Sequence, residues 1–370
     1  MKPATQLPDP RDGVRLLVLD AARARFSDAT ADELPRWLDP GDVLVVNDAA
    51  TLPASLHGVT ARGDPIELRL LGLPEGARAR GVLLGAGDFH TRTEHRPPPP
   101  VLEPGAVLWF AELRAQVIAR AALSPRLLEL DFDREGEALL AALYRLGRPV
   151  QYAYHAVQLP LYAFQTVYGG RPWAAEMPSA GRPLSWSSLL ALRARGVGVF
   201  ALTHAAGLSA TGDPAIDAAL PLPERFEIPE TTAAAVARAH AAGARVVAVG
   251  TTVVRALEGS AALHGGALQA GTAETDLILD HGSPRRVVDG LLTGMHEPSE
   301  SHFRLLSAFA PGELLASAHA HAASAGYLSH EFGDSMLILA APAARSLARP
   351  RSGSRRVAAA TAGLLAARWG

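Results

Sequence analysis

Four short apolar runs in this 370-residue chain each end in polar residues that can bind a ligand or move a proton. Val43–Val46 runs into Asn47-Asp48, Val197–Leu202 into Thr203-His204, and Val246–Val249 into Gly250-Thr251-Thr252. Leu291-Leu292 runs into Thr293 and, shortly after, His296. Buried carboxylates at Asp48 or Glu224 favour a cation or a developing positive charge. His204 has an intrinsic pKa suited to proton traffic near neutrality. A helix expected to start at Val253 aims its amides and positive dipole end at the ligand, so Thr251, Thr252 and their loop suit a carboxylate or sugar hydroxyls. Asn, Asp and Thr also serve as plain helix caps and turn formers, so one such pair alone means little. Four together point to one crevice at the carboxyl ends of parallel strands.

The loop Gln165-Thr166-Val167-Tyr168, followed by Pro172–Gly181, is dense in small residues and turn formers, as substrate loops often are. Tyr168 or Trp173 offers a ring for stacking on a base. His319 and His321 lie two apart in an expected helix, face different ways and cannot chelate one metal. A glycine-rich dinucleotide fingerprint, a phosphate-binding loop ending in Gly-Lys-Ser/Thr and a Gly-x-Ser-x-Gly elbow are all missing, which removes the common chemistries built on them.

The elements that must position these residues read as α/β. Arg15–Asp20 and Val43–Val46 have strand length, with a capping box at Thr30–Glu33 opening a short helix between them. Ile66–Leu70 and Leu128–Phe132 alternate with period two, the pattern of strands with one wet face. A helix with Leu139, Leu143 and Leu146 on one face closes that stretch. Beyond it, Ser185 caps a helix that stops at Gly196, and Pro229 stands at the first position of an alanine-rich helix ended by Gly243. A further helix spans about 311–323, and Met336–Leu339 is the last strand. The expected organisation is a large α/β domain in two parts, 1–53 and 150–344, an inserted β-rich, barrel-like domain over 54–149, and an arginine-rich tail over 345–370.

A chain of this length exceeds one compact core. Hydrophobic residues at 48% against 19% charged fit a globular protein rather than a disordered one. No apolar run is long enough to span a bilayer and the amino terminus lacks a signal-peptide core, so a cytoplasmic protein is expected. The absence of cysteine excludes disulfides and thiolate chemistry. A net charge of −2 advertises no global nucleic-acid field. Lys2 is the only lysine, so arginine abundance reflects composition rather than phosphate binding.

Phe164–Tyr168 (FQTVY), Gly41–Pro53 (GDVLVVNDAATLP), Val249–Glu258 (VGTTVVRALE) and Gly333–Ile338 (GDSMLI) resemble the S-adenosylmethionine:tRNA ribosyltransferase-isomerase family. Arg11-Asp12 with Arg15–Asp20, Thr293–Pro298 and Ser307-Ala308-Phe309 are similar to further family segments, collinear from about residue 10 to 340. The resemblance implies a large α/β domain with a smaller β-barrel domain. It implies transfer and isomerisation of the ribosyl moiety of S-adenosylmethionine onto 7-aminomethyl-7-deazaguanine in tRNA, in queuosine biosynthesis. The products are epoxyqueuosine-tRNA, adenine and methionine. The resemblance further implies S-adenosylmethionine as co-substrate with no metal needed, and the tRNA anticodon region as partner; a monomer or weak oligomer is expected.

Asp48, His204 and Glu224 are the expected catalytic set. Asn47, Gln165, Thr166, Tyr168, Thr203, Gly250, Thr251, Thr252, Arg255, His296 and Asp334 are expected to bind substrate. The chain also departs from the family. Asn-Asp-Thr-Arg becomes Asn47-Asp48-Ala49-Ala50, and an Ala-Ala-Pro-Thr-Ala-Gly-Leu-His-Phe block is replaced by Ala174–Trp186, with Glu176 and Arg182 introduced. His-Val-Gly-Ala-Gly-Thr-Phe becomes His204–Ala210, Met-His-x-Glu keeps only its acid as Glu224, and a late asparagine is Gly294. These departures leave two other readings open: a transferase using S-adenosylmethionine on a different acceptor, and a non-catalytic paralogue binding S-adenosylmethionine or RNA.

Overall fold

The computed structural model describes residues 1–297 and 301–340, so Pro298 and the arginine-rich segment 345–370 lie outside the described residues. A nine-stranded sheet runs in the order Gly271–Thr275, Glu224–Ile228, Gly198–His204, Val43–Asn47, Val246–Val249, Gly290–Gly294, Ser335–Leu339, Arg15–Asp20, Arg25–Thr30. The strands Gly198–His204, Val43–Asn47, Val246–Val249 and Gly290–Gly294 are parallel neighbours, so their carboxyl ends share one rim. These are the four runs whose polar ends stood out in the sequence.

Such strands are apolar throughout because helices cover both faces. Val43, Val45, Val246 and Ala248 pack with the helices Glu230–Ala241, Thr251–Leu263 and Gly312–Ser324. Leu44, Val46, Val247 and Val249 pack on the other side with Leu189 and Leu192 of the helix Trp186–Ala194. That helix begins where the Ser185 hydroxyl accepts the Ser188 amide at 3.1 Å. The capping box at Thr30 and Glu33 is also present, but the turn it opens, Ala31–Trp37, is a 3-10 helix containing Pro35. Pro229 is an N-cap rather than a first helical residue, and the helix expected from Val253 already begins at Thr251. Among the described residues no helix is long and apolar enough to cross a membrane.

Between the strands Val43–Asn47 and Gly198–His204 the chain builds a closed six-stranded antiparallel barrel. Its strands are Ser55–Thr60, Pro65–Leu70, Arg78–Leu84, Val107–Phe110, Leu113–Ala121 and Ser124–Phe132. Closure brings Val59 opposite Trp109, and a side chain at Gly58 would place its Cβ 2.2 Å from the Trp109 carbonyl oxygen. Only glycine fits there. The helix Gly136–Leu146 adds Leu139 and Leu143 to the barrel core. Leu208 and Ile216, from a later loop, belong to the same core. Arg126 fastens that loop by donating to the Thr211 and Gly212 carbonyls at 2.9 and 3.0 Å, and Ser124 donates to Asp213 at 2.7 Å.

The wet face expected for Ile66–Leu70 is not wet. Glu67 and Arg69 are each only 2% exposed. Arg69 Nε donates to Glu67 Oε1 at 2.7 Å, Arg96 pairs with the other carboxylate oxygen, and the Ser55 hydroxyl donates to Oε1 at 2.7 Å. Alternation tells that two faces differ, not what covers the polar one. Burial alone would raise the Glu67 pKa, but Arg69 and Arg96 hold it down at about 2. The resulting stabilisation is present above the ordinary value of 4.5 and is lost as pH falls toward about 2. Glu67→Ala leaves two buried guanidinium groups without their carboxylate and should lower the unfolding free energy by about 3–5 kcal/mol, measured by chemical denaturation near neutral pH.

Candidate active site

The strands Val246–Val249 and Gly290–Gly294 end at a cavity of about 470 Å³, which residues just past Gly198–His204 also line, while Asn47-Asp48 and Thr203-His204 do not. Gly250 stands at φ 94° as the N-cap of the helix Thr251–Leu263, and its amide donates to the Leu292 carbonyl at 2.7 Å. The first turn of that helix therefore faces the cavity, with Thr251, Thr252 and Arg255 among its lining residues. Glu224, at the start of the strand between Gly271–Thr275 and Gly198–His204, lines it too, as do Thr293 and His296, whose Oγ1 and Nε2 lie 3.0 Å apart. Of the residues expected in the site, Glu224, Gly250, Thr251, Thr252, Arg255 and His296 are thus brought together.

Glu224 is 11% exposed on its side chain. One oxygen pairs closely with Arg255 Nη1, and the other accepts the Gly207 amide at 2.7 Å. Burial pushes the Glu224 carboxyl up, while Arg255 and the amide pull it back. His204 lies behind this pair, fully buried, with Nε2 3.5 Å from Glu224 Oε2. Neither of its ring nitrogens has a hydrogen-bond partner among the described residues. Burial first, and Arg255 second, hold its pKa well below the usual histidine value, so the imidazole is neutral.

The remaining expected residues lie outside the cavity lining, for identifiable reasons. The Asn47 amide is fully used: Oδ1 accepts the His204 and Ala49 amides at 2.9 and 3.0 Å, and Nδ2 donates to the His204 carbonyl at 2.9 Å and toward Thr252 Oγ1 at 3.4 Å. Asp48 accepts from Thr203 Oγ1 at 2.6 Å beside Arg171, and burial raises its pKa. Gln165 mimics a strand partner, bonding the Thr51 amide and carbonyl at 3.0 and 2.9 Å. Thr166 is buried, and the Tyr168 hydroxyl abuts Gly181 so closely that a Cβ there would lie 2.0 Å from it. Asp334 accepts the Arg15 and Leu328 amides at 2.7 and 2.8 Å. Trp173, offered as a stacking ring, is 8% exposed, with the guanidinium carbons of Arg171 and Arg225 over its ring at 4.3 and 4.4 Å. His319 and His321 do diverge, toward Glu297 at 3.3 Å and Asp28 at 2.9 Å.

Some lining residues escaped the reading of strand ends. Glu176, noted only as a departure, takes the Tyr152 hydroxyl in a close contact and the Ser209 amide at 3.0 Å. Burial raises the carboxyl of Glu176 and, together with that neighbour, the phenol of Tyr152. Tyr154, His330 and Glu331 also line the cavity. The clustering of Tyr152, Tyr154 and His155 just after Val150 was the available signal. The lining thus includes four acids, Glu176, Asp217, Glu224 and Glu331, against one arginine, Arg255. A cation suits such a lining.

Arg255→Ala should strip Glu224 of its counter-charge and push its pKa further up. A folded-state pKa above the unfolded one penalises folding most at high pH, so the loss of stability should shrink as pH falls from about 8 toward about 5. Denaturation of the variant and parent at both ends of that range measures it.

Comparison with known proteins gives one consistent result. A family model described as "Queuosine biosynthesis protein" matches residues 2–338. The S-adenosylmethionine:tRNA ribosyltransferase-isomerase of Sorangium cellulosum is 35% identical over 363 residues, covering 90% of this chain and 94% of that one. The protein of the same name from Anaeromyxobacter sp. strain Fw109-5 is 37% identical over 345 residues, covering 89% and 93%. The crystal structure of the S-adenosylmethionine tRNA ribosyltransferase of Thermotoga maritima shares the fold, with a TM-score of 0.50 and 24% identity over 91% of this chain and 96% of that one. The chain belongs to the queuosine biosynthesis protein family, that of the S-adenosylmethionine:tRNA ribosyltransferase-isomerases.

Proposed function

We propose that this protein is a cytoplasmic S-adenosylmethionine:tRNA ribosyltransferase-isomerase. It transfers and isomerises the ribosyl moiety of S-adenosylmethionine onto 7-aminomethyl-7-deazaguanine in the anticodon region of tRNA, releasing adenine and methionine. Nearly full-length relatedness to enzymes of that name supports the reaction. The observation that carries it at the level of the site is the lining itself, with its acids beside a helix N-terminus. S-adenosylmethionine presents a sulfonium and an ammonium to the first and a carboxylate to the second.

In this reading Glu224 faces the sulfonium nucleoside. Its burial-raised pKa suits a base that takes a proton from the attacking amine or from the carbon beside the sulfonium, while Arg255 pulls it toward the ionised form. Before it takes that proton, its negative charge favours the sulfonium cation. His204, sealed from the cavity, is a positioning residue behind Glu224 rather than a group that touches substrate. Thr251, Thr252 and the adjoining amides hold the methionine carboxylate or ribose hydroxyls. Asp48, away from the lining, serves with Thr203 and Arg171 to fix the strand ends.

Incubation of the protein with S-adenosylmethionine and hypomodified tRNA should release adenine, and only when both are present. Glu224→Gln should slow single-turnover adenine release by about two orders of magnitude. Asp48→Asn should leave it within the same order as the parent. An unchanged rate in Glu224→Gln removes that residue from the chemistry, and adenine release without tRNA rejects the acceptor.

A further inference from the structure

One wall of the cavity is explained neither by its acids nor by the helix start. Tyr154 and His330, 176 positions apart in the chain, stack with ring centroids 4.0 Å apart and planes inclined by 22°. Both line the cavity and both stay partly exposed there. Local backbone devices hold each ring in place. The Tyr154 amide donates to the Tyr152 carbonyl at 2.8 Å, a three-residue turn that presents both tyrosines. His330 stands at φ 69°, a left-handed conformation that residues with a side chain rarely adopt.

The turn after His330 is built to keep it there. Gly333 donates to the His330 carbonyl at 2.9 Å and the Asp334 amide to the Leu328 carbonyl at 2.9 Å. A Cβ at Gly333 would lie 2.5 and 2.6 Å from the Leu328 and Ser329 carbonyl oxygens, so the closure admits only glycine. The Asp334 carboxylate bonds Leu328 and Arg15, tying this turn to the sheet. The residue with this backbone therefore lines the cavity, and such strain commonly marks a functional position. Two further rings of the lining have their own partners. The Tyr152 hydroxyl is tied to Glu176, and Phe164 packs edge-on against Phe332 at 5.3 Å.

We propose that the Tyr154–His330 pair is a stacking platform for the flat heterocycle of a nucleoside, continued into the cavity as a third layer. Given the function proposed above, that heterocycle is the adenine of the donor or the deazaguanine of the acceptor nucleotide. Both present the same planar π-face, and aromatic side chains recognise such faces with little regard to base identity. Asp334 then acts through the turn, as a positioning residue for His330.

The test uses the full chain with Tyr154→Leu, Tyr154→Phe and His330→Asn, since asparagine tolerates the left-handed backbone while removing the ring. Binding of S-adenosylmethionine and of free adenosine is measured by calorimetry, and KM for hypomodified tRNA by adenine release. Tyr154→Leu and His330→Asn should each weaken one partner by about 5- to 100-fold, and Tyr154→Phe should retain most of that binding. Weaker S-adenosylmethionine and adenosine binding identifies adenine as the third layer; a raised KM for tRNA alone identifies the acceptor base. If both ring-deleting variants melt like the parent and change none of these, the platform is overturned. Should the parent bind adenosine yet release no adenine with tRNA, the proposed reaction fails. Loss of adenosine binding in Tyr154→Leu then still decides the platform.

Discussion

The crevice depends on one side chain that touches no solvent. Asn47 ends its strand at the point where the backbone ladder to Gly198–His204 runs out, and its amide continues that ladder by two further bonds to His204. The same amide reaches the first turn of the helix Thr251–Leu263 through Thr252. Parallel strands diverge at their carboxyl ends as the chain turns into loops, leaving unpaired backbone groups around any pocket formed there. Asn47 satisfies those groups and sets the spacing between the strand carrying His204 and the helix carrying Arg255. Glu224 meets both residues in the gap.

Buried charge is handled in two ways in this molecule. In the barrel, Glu67 has two arginines and a hydroxyl around it, and the surplus of partners drives its carboxyl firmly toward the ionised form. At the cavity, Glu224 has one arginine, and Glu176 has only a phenol, a hydroxyl and an amide close at hand. Desolvation dominates there and raises both carboxyl groups. The first arrangement makes a rigid strut. The second leaves carboxylates whose ionisation improves when a cation arrives, which is what a site for a sulfonium needs.

The architecture was largely legible from the pattern of residues. Continuous apolar runs such as Val246–Val249 announced strands covered on both sides, and polar residues directly after them marked the rim. The alternation in Ile66–Leu70 was misleading about water because sequence does not say what packs on a strand's second face. Roles within the site were less legible for the same reason. Asn47, Gln165 and Asp334 have the chemistry of ligand-binding residues, but backbone groups distant in sequence consume it. Tyr154 and His330 carried no periodic or motif signal that linked them, since only the folded chain brings position 330 against position 154.

The loop that walls the cavity around Ala206–Pro221 is anchored from the far side. Leu208 and Ile216 are members of the barrel's own hydrophobic core, and Arg126 and Ser124 of the barrel grip the backbone and Asp213 between them. Barrel and pocket are accordingly one mechanical object, although their strands belong to separate sheets. Exchanging the barrel for that of a relative would tear out the pocket's lining unless the loop travels with it. The transplantable unit in this architecture is the barrel together with its adopted wall.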